Sequence, residues 1–205
     1  MTLAPLHLHD RAAPVARSTT AIDAARALGT LRAAFADDPA VRWLFPDDRG
    51  FRDGFDDLAR VLGGPAFRDG TLRTGPGAAA LWVRPGAGPD DLALVALVER
   101  TIPQSRHDAV FGVFDAMGRA HPDRPHWYLP MIGVTPDRQG VGAGTALMAP
   151  VLSRCDAEGA TAYLEATTPR NAALYARLGF EAGSPIELGG CPPLLPMTRR
   201  PGGRA

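Results

Sequence analysis

The chain of 205 residues has no lysine; all 22 of its basic side chains are arginine. That absence excludes a Schiff-base amine and the lysine of a Walker phosphate loop. The arginines are balanced by 22 acidic residues, for a net charge of zero. A neutral chain gives no electrostatic reason to bind nucleic acid or an anionic membrane. Cysteine is scarce: Cys155 and Cys191 alone cannot make a disulfide framework of the secreted kind. No apolar run approaches the roughly 18 residues of a membrane span. The first residues lack a basic segment followed by an apolar one, so no signal peptide is read. Glycine (23) and proline (20) make up about a fifth of the chain, below the roughly 25–30% that marks low-complexity disorder. The expectation is one domain over 1–205, with a loose arm over 1–14, in a cytoplasmic enzyme or binding protein without a metal site.

The pattern of apolar residues predicts the elements. A short strand is expected near 15–19. Apolar positions 22, 24, 25, 28, 31 and 35 recur at helical period, with Thr20 as cap and Asp37-Asp38-Pro39 as stop. Residues 41–45 read as a short aromatic patch. Phe51, Phe55, Leu58 and Leu62 mark a second helix, ended by Gly63-Gly64-Pro65. Strands 71–74 and 78–83 flank Gly75-Pro76-Gly77 as a hairpin. Helices are expected over about 89–100 and 105–119. From 126 onward the order is strand 126–134, helix 142–158, strand 161–166 and helix 169–178, then terminal strand pieces. That alternation indicates an α/β sheet with at least one crossover. Pro150 falls inside a predicted helix, where it should kink the helix or cost about 3 kcal/mol.

The most informative stretch is Val134-Thr135-Pro136-Asp137-Arg138-Gln139-Gly140-Val141-Gly142-Ala143-Gly144-Thr145. It follows an apolar strand and opens a helix striped by Leu147, Met148, Val151, Leu152 and Cys155. Glycines at 140, 142 and 144 let the backbone approach a ligand, and successive N–H groups at a helix N-terminus make an anion site. The ligand expected there carries phosphate. The spacing is not the Gly-x-Gly-x-x-Gly of dinucleotide-binding folds, and no Gly-Lys-Ser/Thr follows. A tight turn without a ligand is the alternative for the loop taken alone.

Val134, Pro136, Gln139, Gly142 and Gly144 together resemble the acyl-CoA signature of the GNAT superfamily of N-acyltransferases. Asn171-Ala-Ala-Leu-Tyr175-Ala-Arg-Leu-Gly179-Phe180 is similar to that superfamily's Asn-x-x-x-Tyr-x-x-x-Gly-Phe segment. The gap between the two holds one helix and one strand. Within the superfamily, His126-Trp127-Tyr128-Leu129, the segment 163–171 and, more weakly, Phe35 to Pro46 look most like the branch containing puromycin N-acetyltransferase. The resemblance implies a mixed α/β fold. Its central sheet is mostly antiparallel, flanked by helices, and splayed between the strands near 126–134 and 161–166.

It further implies acetyl-CoA as acyl donor and a small-molecule amine as acceptor; a monomer and a homodimer are both open. Gln139, Gly140, Val141, Gly142, Ala143, Gly144 and Thr145 would hold the CoA pyrophosphate. Ile132, Gly133 and Val134 would face the pantetheine arm. Pro130 suits a strand whose ladder is already broken, though taken alone it fits an edge strand equally. Thr168-Pro169 is a helix start, and Asn171 and Tyr175, four apart, share one face of that helix. The resemblance implies that Tyr175 protonates the leaving thiolate; a packed tyrosine with a wet hydroxyl is the alternative from the residue alone. Glu165, at the end of its strand, is the candidate base. It suits an ammonium-orienting or intra-sheet role as well. His126, at the far end of its strand, reads as structural. Phe35, Asp38, Trp43, Phe45 and Trp82 are expected around the acceptor, since aromatics with nearby carboxylates suit an amine on an apolar or aromatic body, though each aromatic taken singly reads more readily as core. A non-catalytic acyl-CoA-binding module is the rival reading; so is a transferase acting on a protein or peptide amine.

Overall fold

The structure, a computed structural model, describes residues 20–203. The arm and the strand expected over 1–19 lie outside the described residues. Helix α1 (Ala21–Ala34) starts where the Thr20 hydroxyl accepts the Asp23 N–H at 3.1 Å, and it buries Ala27, Leu28 and Leu31. The expected aromatic patch is instead a short helix, α2 (Pro39–Leu44). Asp38 Oδ1 accepts from the N–H groups of Ala40 and Val41, and Pro39 takes the first helical position.

Helix α3 (Asp48–Arg68) corrects a second expectation, because it runs straight through Gly63-Gly64-Pro65. Proline at 65 cannot donate to the Val61 carbonyl. The Asp90 N–H donates to that carbonyl instead, at 3.1 Å, so no buried acceptor is orphaned. Gly63 is required by contact: a Cβ there would lie 2.5 Å from Leu81 Cδ1. Its absence lets α3 lie directly on the sheet.

The hairpin is β1 (Leu72–Gly75) and β2 (Ala78–Val83). Helices α4 (Asp91–Thr101) and α5 (His107–Ala120) follow. Then come β3 (His126–Val134), α6 (Ala143–Glu158), β4 (Thr161–Ala166), α7 (Pro169–Ala176), β5 (Glu181–Ala182) and β6 (Leu195–Arg199). The six strands lie in the order β1-β2-β3-β4-β6-β5. Every pairing is antiparallel except β3 with β4, which the α6 crossover joins in parallel. Side chains of α1 to α4 and of α5 build the core on one face with Leu81 and Met131; α6 and α7 build the other with Trp82, Trp127 and Leu164. Pro150 stays within α6. It and Ala146, whose carbonyl loses its donor, are both exposed, so water serves that acceptor.

Strand β3 carries the feature that positions the site. Met131 pairs with Leu81 and Tyr128 with Val83, three steps along β3 against two along β2. This bulge contains Pro130, where a missing donor costs least. It also switches which residues face which side. Trp127 and Leu129 face α6; beyond the bulge, Ile132 and Val134 do, while Met131 turns to the α1 side. The parallel pairing of β3 with β4 ends at Tyr128 and Tyr163. From Leu129 to Val134, β3 has no strand partner on its β4 side, whereas β4 continues to pair with β6 as far as Ala166. The sheet is therefore split, as expected.

Candidate active site

The loop after β3 closes against its own strand. The Gln139 side chain donates to the Val134 carbonyl at 3.2 Å, and the Thr135 N–H to the Gly77 carbonyl at 2.8 Å. Gly140 and Gly142 both have φ +82°, which glycine adopts without penalty. A Cβ at either would meet nothing within 4 Å, so the space above the loop is open. Gly142 begins α6 without a side-chain cap, and the first turn holds no acidic residue. The N–H groups of Ala143, Gly144 and Thr145 therefore remain without a helical acceptor and aim the positive end of α6 outward. Val141, 77% exposed, stands beside them. Gly133 lies against Ala34 of α1.

Glu165 occupies the α5 side of the split. Its side chain is only 5% exposed, and Oε1 has no hydrogen-bond partner. The nearest cationic candidate is His121, whose Nε2 lies 3.5 Å from Oε1. His121 Nδ1 is 3.0 Å from His126 Nε2, and His126 Nδ1 is 2.8 Å from the Arg124 carbonyl. The Tyr128 and Tyr163 rings flank His121 at 4.6 and 4.4 Å between centroids. Burial, then the Glu165 carboxylate, pushes both tyrosine hydroxyls well above their ordinary range. Burial lowers the His126 imidazole below its ordinary value.

Tyr175 lies on the other face, packed at 6.1 Å between centroids against Phe180. Thr168 caps its helix by accepting the Asn171 N–H at 3.2 Å, and Asn171 itself is half-buried. Burial, and second the Asp38 carboxylate, raise the Tyr175 hydroxyl well above its ordinary value. Asp38 thus sits near Tyr175, but its oxygens are taken: Oδ1 caps α2, and Oδ2 accepts the Thr167 hydroxyl at 2.5 Å.

A cavity of about 90 Å³ opens at the split. Pro130, Met131, Glu165 and Thr167 form its floor, with Phe35, Trp43, Leu44, Phe114 and Met117 among its walls. Of the residues expected around the acceptor, Phe35 and Trp43 line it. Asp38 does not. Phe45 is buried under α3, touching the place a Gly54 side chain would fill. Trp82 is fully buried on the opposite face, edge-on to Trp127 at 6.5 Å. The odd-even alternation of β2 puts it there. Sequence reading gave no site role to His121, Thr167 or Cys191. Cys191 lines the cavity, its thiol pushed up to about 11 mainly by burial. A histidine just past a helix end carries no spacing signal; only the fold brings it to Glu165.

A mixed sheet split at its one parallel pair, with a glycine loop at the split, is the architecture of the GNAT fold. Residues 104–180 match the model of the acetyltransferase (GNAT) family. Over that stretch the chain is similar to GNAT acetyltransferases, and it shares their fold. An uncharacterized N-acetyltransferase of Schizosaccharomyces pombe is 38% identical over 58 residues, covering 28% of this chain and 24% of that protein. The match thus spans about a quarter of that curated relative. A Corynebacterium glutamicum structure described as histone acetyltransferase HPA2 and related acetyltransferase is 28% identical, with a TM-score of 0.59. It covers 90% of this chain and 94% of that one. The polyamine N-acetyltransferase of Drosophila melanogaster, which forms N-acetylagmatine, shares the fold at 14% identity. Its TM-score is 0.58, over 90% of this chain and 98% of that one. Among the described residues, no helix is long and apolar enough to cross a membrane.

Proposed function

We propose that the protein is an acetyl-CoA-dependent N-acetyltransferase acting on a primary amine of a small molecule, by direct attack within a ternary complex. The observation that carries this reading is the split itself. One unpaired strand edge, one donor-rich loop and two buried ionisable groups, Glu165 and Tyr175, converge on it. The residues fit acetyl-CoA. The N–H groups over 140–145 suit its pyrophosphate without any lysine, and open space above Gly140 and Gly142 admits it. The free edge near Ile132, Gly133 and Val134 offers backbone partners to the pantetheine amides. Gln139 acts from below by fixing the loop to Val134, and Asn171 addresses the donor from α7.

In the reaction, Glu165 accepts the proton of the amine as its nitrogen attacks the thioester carbonyl. A backbone N–H near Ile132 donates to the oxygen as it becomes negative. Tyr175, kept protonated by burial and by Asp38, gives its proton to the departing sulfur. The cavity receives the body of the amine against Phe35 and Trp43. The resemblance to the puromycin-type branch adds aminonucleosides to the candidates.

The test is release of free CoA thiol from acetyl-CoA across alkylamines, arylamines, polyamines, aminonucleosides, aminoglycosides and peptides. Amine-dependent release with an N-acetylated product supports the proposal. Tight acetyl-CoA binding without release by any amine favours the non-catalytic module instead; release with peptides alone favours a protein acceptor.

A further inference from the structure

A buried base must hand on what it takes. Glu165 is 5% exposed on the floor of the cavity, so an amine seated there covers it from bulk water. The atoms beyond it form a line: Glu165 Oε1 to His121 Nε2 at 3.5 Å, His121 Nδ1 to His126 Nε2 at 3.0 Å, His126 Nδ1 to the Arg124 carbonyl at 2.8 Å. The carbonyl end fixes the hydrogens. A carbonyl only accepts, so His126 Nδ1 carries the hydrogen. Neutral His126 then accepts at Nε2, which makes His121 Nδ1 the donor. What remains is a lone pair on His121 Nε2, facing Glu165. The flanking rings of Tyr128 and Tyr163 hold the His121 ring in place. Both tyrosines keep their own protons, so neither ionises to take part in the line as a base. His121 is 23% exposed, and Arg124 and Pro125 beyond it are exposed, so the line ends at water.

We propose that His121 and His126 are a proton relay that carries the amine's proton from Glu165 to solvent. The inference rests on Glu165 acting as the base. One proton enters and one leaves per transfer. The amine N–H proton passes to the Glu165 carboxylate, and from Oε1 to His121 Nε2. The Nδ1 proton of His121 moves to His126 Nε2, and His126, partly exposed, releases its Nδ1 proton to water as its bond to the Arg124 carbonyl opens. Each ring ends in its other tautomer and resets by exchange with water.

The test uses the full chain, acetyl-CoA and the best acceptor of the amine panel, with thiol release measured in weakly basic buffer. His121→Ala is expected to lower turnover about 10²-fold, leave acetyl-CoA affinity unchanged, and recover most of the loss when free imidazole is added. Recovery should rise with pH, as imidazole loses its proton. His126→Gln still accepts from His121 Nδ1 and so preserves the position of that ring, but it cannot pass a proton on; turnover should fall here too, and it reads the relay if His121→Ala does not fold. A loss in His121→Ala that imidazole does not restore, or normal turnover in His126→Gln, overturns the relay. Normal turnover in Glu165→Gln overturns the base itself, whereas an inactive Glu165→Gln beside fully active histidine variants removes the relay alone.

Discussion

The Thr167 hydroxyl donates to Asp38 Oδ2 at 2.5 Å, joining the end of β4 to the start of α2. The same carboxylate caps α2 through Oδ1 and sits close enough to Tyr175 to raise its hydroxyl. Asp38 is therefore a brace between the wall of the cavity and the strand that carries Glu165, both of its oxygens engaged within the fold. Asp38→Ala removes the cap and strands the Thr167 hydroxyl. The expected loss is about 2 kcal/mol, several degrees in Tm, measured by thermal unfolding. An unchanged Tm would show that the brace carries no load.

Gly142 adopts φ +82° where α6 begins, with open space around a would-be Cβ. The Cβ of a valine there meets no neighbour, but the side chain strains the backbone by about 1–3 kcal/mol. The expected response is a loop that turns away, with acetyl-CoA affinity falling about tenfold or more in a titration and the circular dichroism spectrum intact. Unchanged affinity contradicts the loop's assignment to the pyrophosphate.

Among the side chains lining the cavity, Glu165 is the single charged one. A second ammonium carried into that apolar space would find no partner, and burying an unpaired charge costs several kcal/mol. Turnover of n-butylamine should exceed that of 1,4-diaminobutane by at least about 10²-fold in kcat/KM. Met117→Glu supplies a carboxylate at a half-buried wall position and should narrow the ratio. Equal rates in the original protein would place the acceptor elsewhere.

Glu165→Gln keeps the size of the side chain and removes its basicity. The rate should fall roughly 10²–10⁴-fold, and the acidic limb of the pH profile should disappear with it. A variant that keeps both its rate and that limb hands the proton to water or to the amine's own ionisation.

The bounds of β3 and β4 were readable because both are apolar runs closed by turn residues, and α1 and α7 because Thr20 and Thr168 are caps in sequence as in space. The split was legible through the resemblance and through Pro130. The length of α3 was not. Its Gly-Gly-Pro reads as a stop, and the Asp90 N–H that rescues the Val61 carbonyl comes from a distant loop. The start signal of α2, Asp38 before Pro39, was present but hidden by the aromatic run after it. Among the site residues, Glu165 and Tyr175 lie in recognisable segments. His121 does not, because its partners, Glu165 and the flanking tyrosines, come from strands that only the tertiary fold brings alongside it.

Tyr175→Phe is the most direct test of the proposed transfer. Phenylalanine keeps the ring beside Phe180 and deletes only the proton. Burial and Asp38 raise the hydroxyl's pKa, so it stays protonated through the neutral and mildly alkaline range and the native enzyme should show no loss there from Tyr175. Single-turnover measurement of CoA thiol release should show the chemical step slowed roughly 10²–10⁴-fold, with acetyl-CoA affinity little changed, since the proton acts only as charge develops on sulfur. The deficit should shrink with an acyl donor whose leaving thiol is more acidic. A folded Tyr175→Phe protein with a near-normal chemical step would contradict the account and reduce Tyr175 to a packing residue.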